Sequence, residues 1–116
     1  MSRNEQMDRL GDIARLMLDV RLAALQAANR AKQESEQQLA GLAARLAPAD
    51  GLPEVAAELA ALSYQRWADV RRAELNLVLA RQTAVWIDAR EAARQAFGKK
   101  QALAGIARKL AENPRR

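Results

Sequence analysis

The feature that most constrains this chain is a single break between two long helix-forming stretches. The segment 47–54, Ala-Pro-Ala-Asp-Gly-Leu-Pro-Glu, is the one interior cluster of Pro, Gly and Asp among the 116 residues. Pro48 pushes the residue before it out of the α region, so we expect the first helix to stop near Leu46. Asp50 suits an N-cap, and Pro53 is tolerated in the first turn of a new helix. The break therefore predicts two helices joined by a turn.

Each side of the break is typical of one uninterrupted helix. Ser2 and Glu5 have the spacing of a capping box, which predicts a helix start at about residue 3. We predict a first helix over about 3–46, a turn at 47–52, and a second helix over about 53–112, where an Asn-Pro pair follows. The composition, rich in Ala, Leu, Arg, Gln and Glu, favours long helices over a globular core. The prediction is an all-α, long two-helix antiparallel coiled-coil hairpin that forms a single domain.

Apolar residues in the first helix recur at alternating spacings of three and four, the a/d pattern of a coiled-coil seam. The predicted seam consists of Leu10, Ile13, Met17, Val20, Ala24, Ala27 and Ala31. The polar run 32–38 interrupts it, since the same phase would place Glu34 and Gln38 in the seam. The apolar phase resumes, shifted, at Leu39. We therefore expect a local break in the seam, either a solvated stretch or a site left open for a partner.

The second helix carries two parallel apolar stripes. One consists of Val70, Ala73, Leu77, Ala80, Ala84 and Ile87; the other consists of Leu75, Val78, Gln82, Val85, Ala89, Ala92, Ala96, Lys99, Leu103, Ile106 and Leu110. Trp86 lies between them and is able to pack on either side. Two stripes make a face wider than one partner helix needs.

The residue types exclude most enzyme chemistry. Cys and His are absent, which removes thiol chemistry, thiolate zinc sites and imidazole catalysis. The carboxylates stand at helix-pair spacing from basic residues, as do Asp69 with Arg72 and Glu91 with Arg94. We expect no enzyme activity, no metal and no cofactor. No run of about 18 apolar residues predicts a transmembrane segment, and the first residues lack the layout of a signal peptide.

The net charge of +5 is unevenly placed. Residues 1–58 hold 7 basic and 9 acidic side chains, whereas residues 59–116 hold 12 basic and 5 acidic ones. A basic second half indicates an acidic partner, or a solvated face that keeps an apolar helix soluble. Nucleic acid is one such partner, but the chain has no recognition-helix motif and no aromatic stacking platform.

The second helix resembles that of the flagellar export stalk proteins of the FliJ family and their type III secretion relatives of the YscO class. The features are Leu-Ser-Tyr-Gln-Arg-Trp at 62–67, an Arg- and Gln-rich heptad helix, and Arg-Glu-Ala-Ala-Arg-Gln-Ala-Phe-Gly-Lys-Lys-Gln-Ala-Leu at 90–103. The resemblance implies a bacterial cytoplasmic stalk, peripheral to a membrane-embedded export machine. It also implies three partners: a hexameric export ATPase, an export gate protein and export chaperones. The alternatives are a generic helical adaptor or assembly factor and a basic helical nucleic-acid-binding protein.

Two aromatic residues form the first predicted partner site. If Leu46 faces Pro53 across the turn, residues 64–67 face the polar run at 32–35. Tyr64 and Trp67 would then be at least partly exposed, as binding anchors commonly are. The alternative is that their rings only cover neighbouring apolar stems.

The C-terminal part of the second helix forms the other predicted site. At about 1.5 Å per residue the second helix is roughly 24 Å longer than the first, so the pairing above leaves 97–112 beyond the start of the first helix. We expect an amphipathic basic helix there that binds an apolar groove with an acidic rim or an anionic membrane surface, or that self-associates. Deletion of 97–116 should then leave a folded hairpin that no longer binds. The predicted binding residues are Phe97, Lys99, Lys100, Leu103, Ile106, Arg108, Lys109 and Leu110.

Overall fold

The structure, a computed structural model, describes residues 2–44, 51 and 53–112. It contains two helices, α1 (Arg3–Ala44) and α2 (Glu54–Glu112), and no strand in those residues. The prediction of an all-α helical hairpin is confirmed. The predicted stop at Leu46, the Asp50 cap, the Asn-Pro stop after α2 and all of the turn except Gly51 lie outside the described residues.

The first helix begins at the cap that the sequence indicates, and the second begins one residue after Pro53. The Ser2 hydroxyl accepts a hydrogen bond from the Glu5 backbone N–H at 3.2 Å, which confirms this half of the capping box. The Pro53 carbonyl accepts a bond from the Ala57 N–H at 2.8 Å, so Pro53 immediately precedes α2. Gly51 has φ of +90°, a conformation that glycine adopts without the strain a Cβ would bring.

The hairpin divides into two compact units. The terminal unit comprises the described parts of Met1–Ala28 and Val85–Arg116, and the turn unit comprises those of Asn29–Ala84. In each, a segment of α1 packs on a segment of α2. Neither described helix has a segment long and apolar enough to cross a bilayer.

The seam of the terminal unit is built mainly from small side chains. The buried apolar residues there are Ala14, Leu18, Ala28, Ala93 and Ala96. Alanines at the contact let two backbones approach closely. The larger residues predicted for the seam, Met17 and Val20 among them, are exposed instead. The predicted phase of the α1 seam is therefore wrong by one residue, because two stripes compete and a single partner helix covers only one of them.

The turn unit has a short apolar core with one polar layer. Leu42, Ala68 and Leu75 form a buried cluster, and Leu39 and Tyr64 pack against it. Close by in sequence, Ser35 is 5% exposed.

The buried serine belongs to a polar pair across the seam. The Ser35 hydroxyl donates a 2.5 Å hydrogen bond to the Gln82 side-chain carbonyl. Glu34 and Gln38, which the predicted phase placed in the seam, are exposed. The predicted shift of phase at Leu39 is therefore wrong, since the buried Ser35, the half-buried Leu39 and the buried Leu42 follow at four- and three-residue spacing. The other residues of 33–38 are exposed, as expected for a solvated stretch.

The pairing of the two helices also differs from the prediction. Ser35 bonds Gln82 rather than facing residues 64–67, and Leu42 packs with Ala68 and Leu75. The prediction assumed that residues flanking the turn pair directly across it. The structure instead pairs the residues whose side chains pack together in the seam. As a result the first turns of α2 are not covered, and Val55 and Leu59 are exposed.

Candidate protein-interaction surface

Tyr64 and Trp67 form an aromatic pair on α2 of the turn unit. Their ring centroids lie 5.7 Å apart with an interplanar angle of 40°. Tyr64 is half-buried against the Leu42 cluster, whereas Trp67 is 54% exposed. The expectation that both are at least partly exposed is confirmed. Trp67 lies beside part of the polar run, at Glu34, Gln37 and Gln38, whereas Tyr64 packs on the apolar Leu42 cluster.

The Tyr64 hydroxyl is buried and has no hydrogen-bond partner among the described residues. A buried phenol normally finds a partner, so the ring is held by apolar packing and not by its polar end. Tyr64 therefore supports the core, and Trp67 is the member of the pair that a partner can reach.

Trp67 borders an open groove between the helices, the turn-unit groove, with a volume of about 440 Å³. Its other lining residues are mostly polar: Glu34, Gln37, Gln38, Gly41, Leu42, Arg71 and Leu75. Arg71 pairs with Glu74 on the same helix at 3.3 Å. The groove thus offers one exposed indole within a polar surface, an arrangement typical of a single anchor with a wet rim.

The predicted C-terminal site is not an extension beyond α1. Lys99 and Leu103 line a groove with Leu10 and Ile13 of α1, so this part of α2 lies alongside the start of α1. Lys100 and Leu110 are half-buried as well. The prediction that residues 97–112 extend past α1 is therefore wrong, because the helices pair with a different offset.

The remaining predicted binding residues of this segment are exposed. They are Phe97, Ile106, Arg108 and Lys109. Phe97 does not line the groove that contains Lys99 and Leu103. The structure thus separates the predicted set into groove residues and residues on other faces of α2.

The groove of the terminal unit, the terminal-unit groove, is lined mainly by apolar side chains. Ten residues line it: Leu10, Ile13, Ala14, Met17, Arg21, Ala92, Gln95, Ala96, Lys99 and Leu103. Of the α1 residues, Leu10, Ile13 and Met17 were predicted as seam and not as binding surface, and Ala14 and Arg21 were assigned to neither. The sequence pattern that indicates such a surface is an apolar face wider than one seam, and on α1 Leu18, Leu22 and Leu25 widen it beside the predicted seam positions.

Four ion pairs of the described residues join neighbours on one helix. Arg72 and Asp69 lie 2.8 Å apart, and Arg94 and Glu91 lie 3.9 Å apart, which confirms the predicted helix pairs. Such exposed pairs contribute little to stability. The Arg90 guanidinium lies 4.8 Å from the ring centroid of Trp86, a further contact within α2.

The described residues contain no group of three or more acidic side chains placed to hold a metal ion. Comparisons with known family models, curated proteins and solved structures gave no match to this chain. The candidate surface is therefore defined by its geometry: an exposed indole in the turn unit and an apolar groove in the terminal unit.

Proposed function

We propose that this chain is a non-enzymatic coiled-coil interaction protein that serves as the stalk of a flagellar or type III protein export apparatus. The observation that carries the interaction role is the distribution of its large apolar side chains. Ile13, Met17, Val20, Trp67 and Val70 are exposed while alanines occupy much of the seam. Exposed apolar residues that recur along helix faces mark protein-binding surfaces.

The specific role rests on the resemblance to the FliJ and YscO families. A two-helix hairpin without catalytic residues suits a stalk that works by contact. In this proposal its partners are a hexameric export ATPase, an export gate protein and export chaperones. Its place is the cytoplasmic side of the export machine.

The test is the effect of the chain on an export ATPase encoded beside its gene. Purified ATPase and chain are mixed, and ATP hydrolysis is followed together with ring assembly by analytical ultracentrifugation. We expect faster hydrolysis and more hexamer at saturating chain. Unchanged hydrolysis, with no co-sedimentation of the two proteins, would refute the stalk role.

Trp67 supplies the sharper variant for this test. Since its indole is exposed beside the turn-unit groove, we expect Trp67→Ala to weaken ATPase, gate or chaperone binding about tenfold or more, as loss of an interface anchor does. Leu77→Ala is the matched control, because Leu77 is also exposed on α2 but does not line the groove. Isothermal titration calorimetry measures the affinities. If Trp67→Ala lowered the melting temperature but left every partner affinity unchanged, the Trp67 indole would serve only to pack against its neighbours in the hairpin.

A further inference from the structure

The terminal-unit groove has a floor of small residues and a wall of larger ones. The small side chains of Ala14, Ala92 and Ala96 form the floor and leave space above it. Leu10, Ile13 and Met17 form the α1 wall, and all three are exposed, Ile13 by 53%. These side chains face water beside a recess, which is the geometry into which apolar side chains of a third helix pack.

The size of the recess favours side chains over a small molecule. The terminal-unit groove holds about 190 Å³, below the range of about 300–1,000 Å³ typical of ligand pockets. It is comparable to a cavity of about 150 Å³ that accepts one benzene-sized group. Such a volume accepts an inserted aliphatic or aromatic side chain while the rest of its helix lies along the wall.

The charged residues at the edge of the terminal-unit groove specify the charge that a partner helix should carry. Arg21 of α1 and Lys99 of α2 line the groove, and no acidic residue does. Both side chains belong to exposed residues, and neither forms an ion pair within the described parts of the chain. An acidic flank on the incoming helix would meet both cations, which gives orientation and a faster encounter.

We propose that the terminal-unit groove binds one amphipathic helix of another protein, with apolar residues at three- and four-residue spacing and Asp or Glu on both edges. A second copy of this chain is the less favourable occupant. Groove-to-groove pairing about a twofold axis would bring Arg21 and Lys99 of each copy against the same cations of the other. Helix binding by the terminal-unit groove does not require an export ATPase, so its test can fail while the stalk role holds, and the reverse.

The test uses two synthetic helical peptides of equal length with the same Leu stripe. One carries Glu on both edges of the stripe, and the other carries Lys there. Binding to the full-length chain is measured by fluorescence anisotropy at low and moderate salt. We expect the Glu peptide to bind, with affinity falling as salt rises, and the Lys peptide to bind at least tenfold more weakly.

Variants then locate the site. Ile13→Glu should weaken the Glu peptide at least tenfold, since it places a like charge in the apolar wall. Leu22→Glu is the control, because Leu22 is exposed on α1 but does not line the groove. The double variant Arg21→Glu with Lys99→Glu should reverse the preference, so that the Lys peptide binds better than the Glu peptide. Circular dichroism checks that each variant remains helical.

Three results would overturn the proposal. The first is equal binding of the two peptides, or no binding of either. The second is loss of binding in Leu22→Glu but not in Ile13→Glu. The third is evidence that something other than a partner helix occupies the groove. Such evidence would be a dimer of the chain that Ile13→Glu dissociates. It would also be binding to anionic phospholipid vesicles that is tighter than binding to the Glu peptide and is lost in Ile13→Glu.

Discussion

At the scale of single residues, the pair of Ser35 and Gln82 is the polar layer of the turn-unit seam. Ser35 is buried and its hydroxyl bonds the Gln82 side chain at 2.5 Å. A buried hydroxyl without a partner costs free energy, so any register that separates these two residues is penalised. We infer that the pair selects the register of the helices more than it raises their stability.

A double-mutant cycle measures this coupling. We expect Ser35→Ala, Gln82→Ala and the double variant to give a coupling energy of about 0.5–1.5 kcal/mol by urea denaturation, the usual value of one hydrogen bond. The cycle is needed because Ala also raises helix propensity, which masks part of the loss in each single variant.

The exposed pair of Asp69 and Arg72 is the matched control for that cycle. Its atoms lie 2.8 Å apart, also within hydrogen-bond distance, but both side chains are solvated. The same cycle there should give about 0.3–0.5 kcal/mol. A coupling for Ser35 and Gln82 no larger than this would show that the buried layer has no special role.

At the scale of the helices, α1 presents two apolar stripes one residue apart. The stripe containing Ala14 and Leu18 is buried, whereas the stripe containing Ile13 and Met17 is exposed. Alanine-lined contacts bring the backbones close, and the larger side chains then stand beside the contact. The phase of burial is therefore a result of packing that a hydrophobic pattern alone leaves open.

Alanine substitutions along α1 test this phase. Leu18 is 7% exposed and Leu16 is 65% exposed. We expect Leu18→Ala to lower the free energy of unfolding by about 2 kcal/mol or more, since it opens a cavity in the seam. Leu16→Ala should change it by no more than about 0.5 kcal/mol.

Met17→Ala distinguishes the two phases directly. Its side chain is exposed in the structure, so thermal unfolding should resemble that of Leu16→Ala. A loss for Met17→Ala greater than that for Leu18→Ala would contradict the seam described above and restore the phase that the sequence pattern predicted.

At the scale of the whole molecule, the C-terminal part of α2 is structural as well as exposed. In the terminal unit Lys99 and Leu103 share a groove with Leu10 and Ile13. Removal of this segment would uncover apolar residues of α1. The expectation that the hairpin stays intact without residues 97–116 therefore no longer follows.

Truncation after Ala96 should lower both helicity and melting temperature. The first turns of α1 would lose their packing partner, and a helix without tertiary contacts is marginal in water. Circular dichroism records the melt, and hydrogen exchange should show the loss of protection within residues 3–18. A truncated chain with unchanged melting temperature would support the original picture of a dispensable extension.

Local features of the sequence were enough to predict two helices joined as a hairpin and to exclude thiol and imidazole chemistry. Gly51 has a positive φ between the helices and Ser2 caps α1, and both roles follow from residue type and its nearest neighbours. The charged and aromatic residues of α2 were also apparent in the sequence, but the surface that they form was not.

The seam phase, the register and hence the shape of the grooves follow from how the side chains of α1 and α2 pack in three dimensions. Burial in a two-helix contact depends on which side chains of α2 meet α1, and the period of the apolar pattern does not specify that choice. Trp67 was predicted as exposed from a pairing of 64–67 with 32–35 that the structure does not show; its exposure is confirmed although that pairing is wrong. The exposure of Ile13 and Met17 was not predicted, because the apolar pattern of α1 fits a buried seam at these positions as well as it fits one at Ala14 and Leu18. In the structure Ala14 and Leu18 are buried, whereas Ile13 and Met17 are exposed and line the terminal-unit groove.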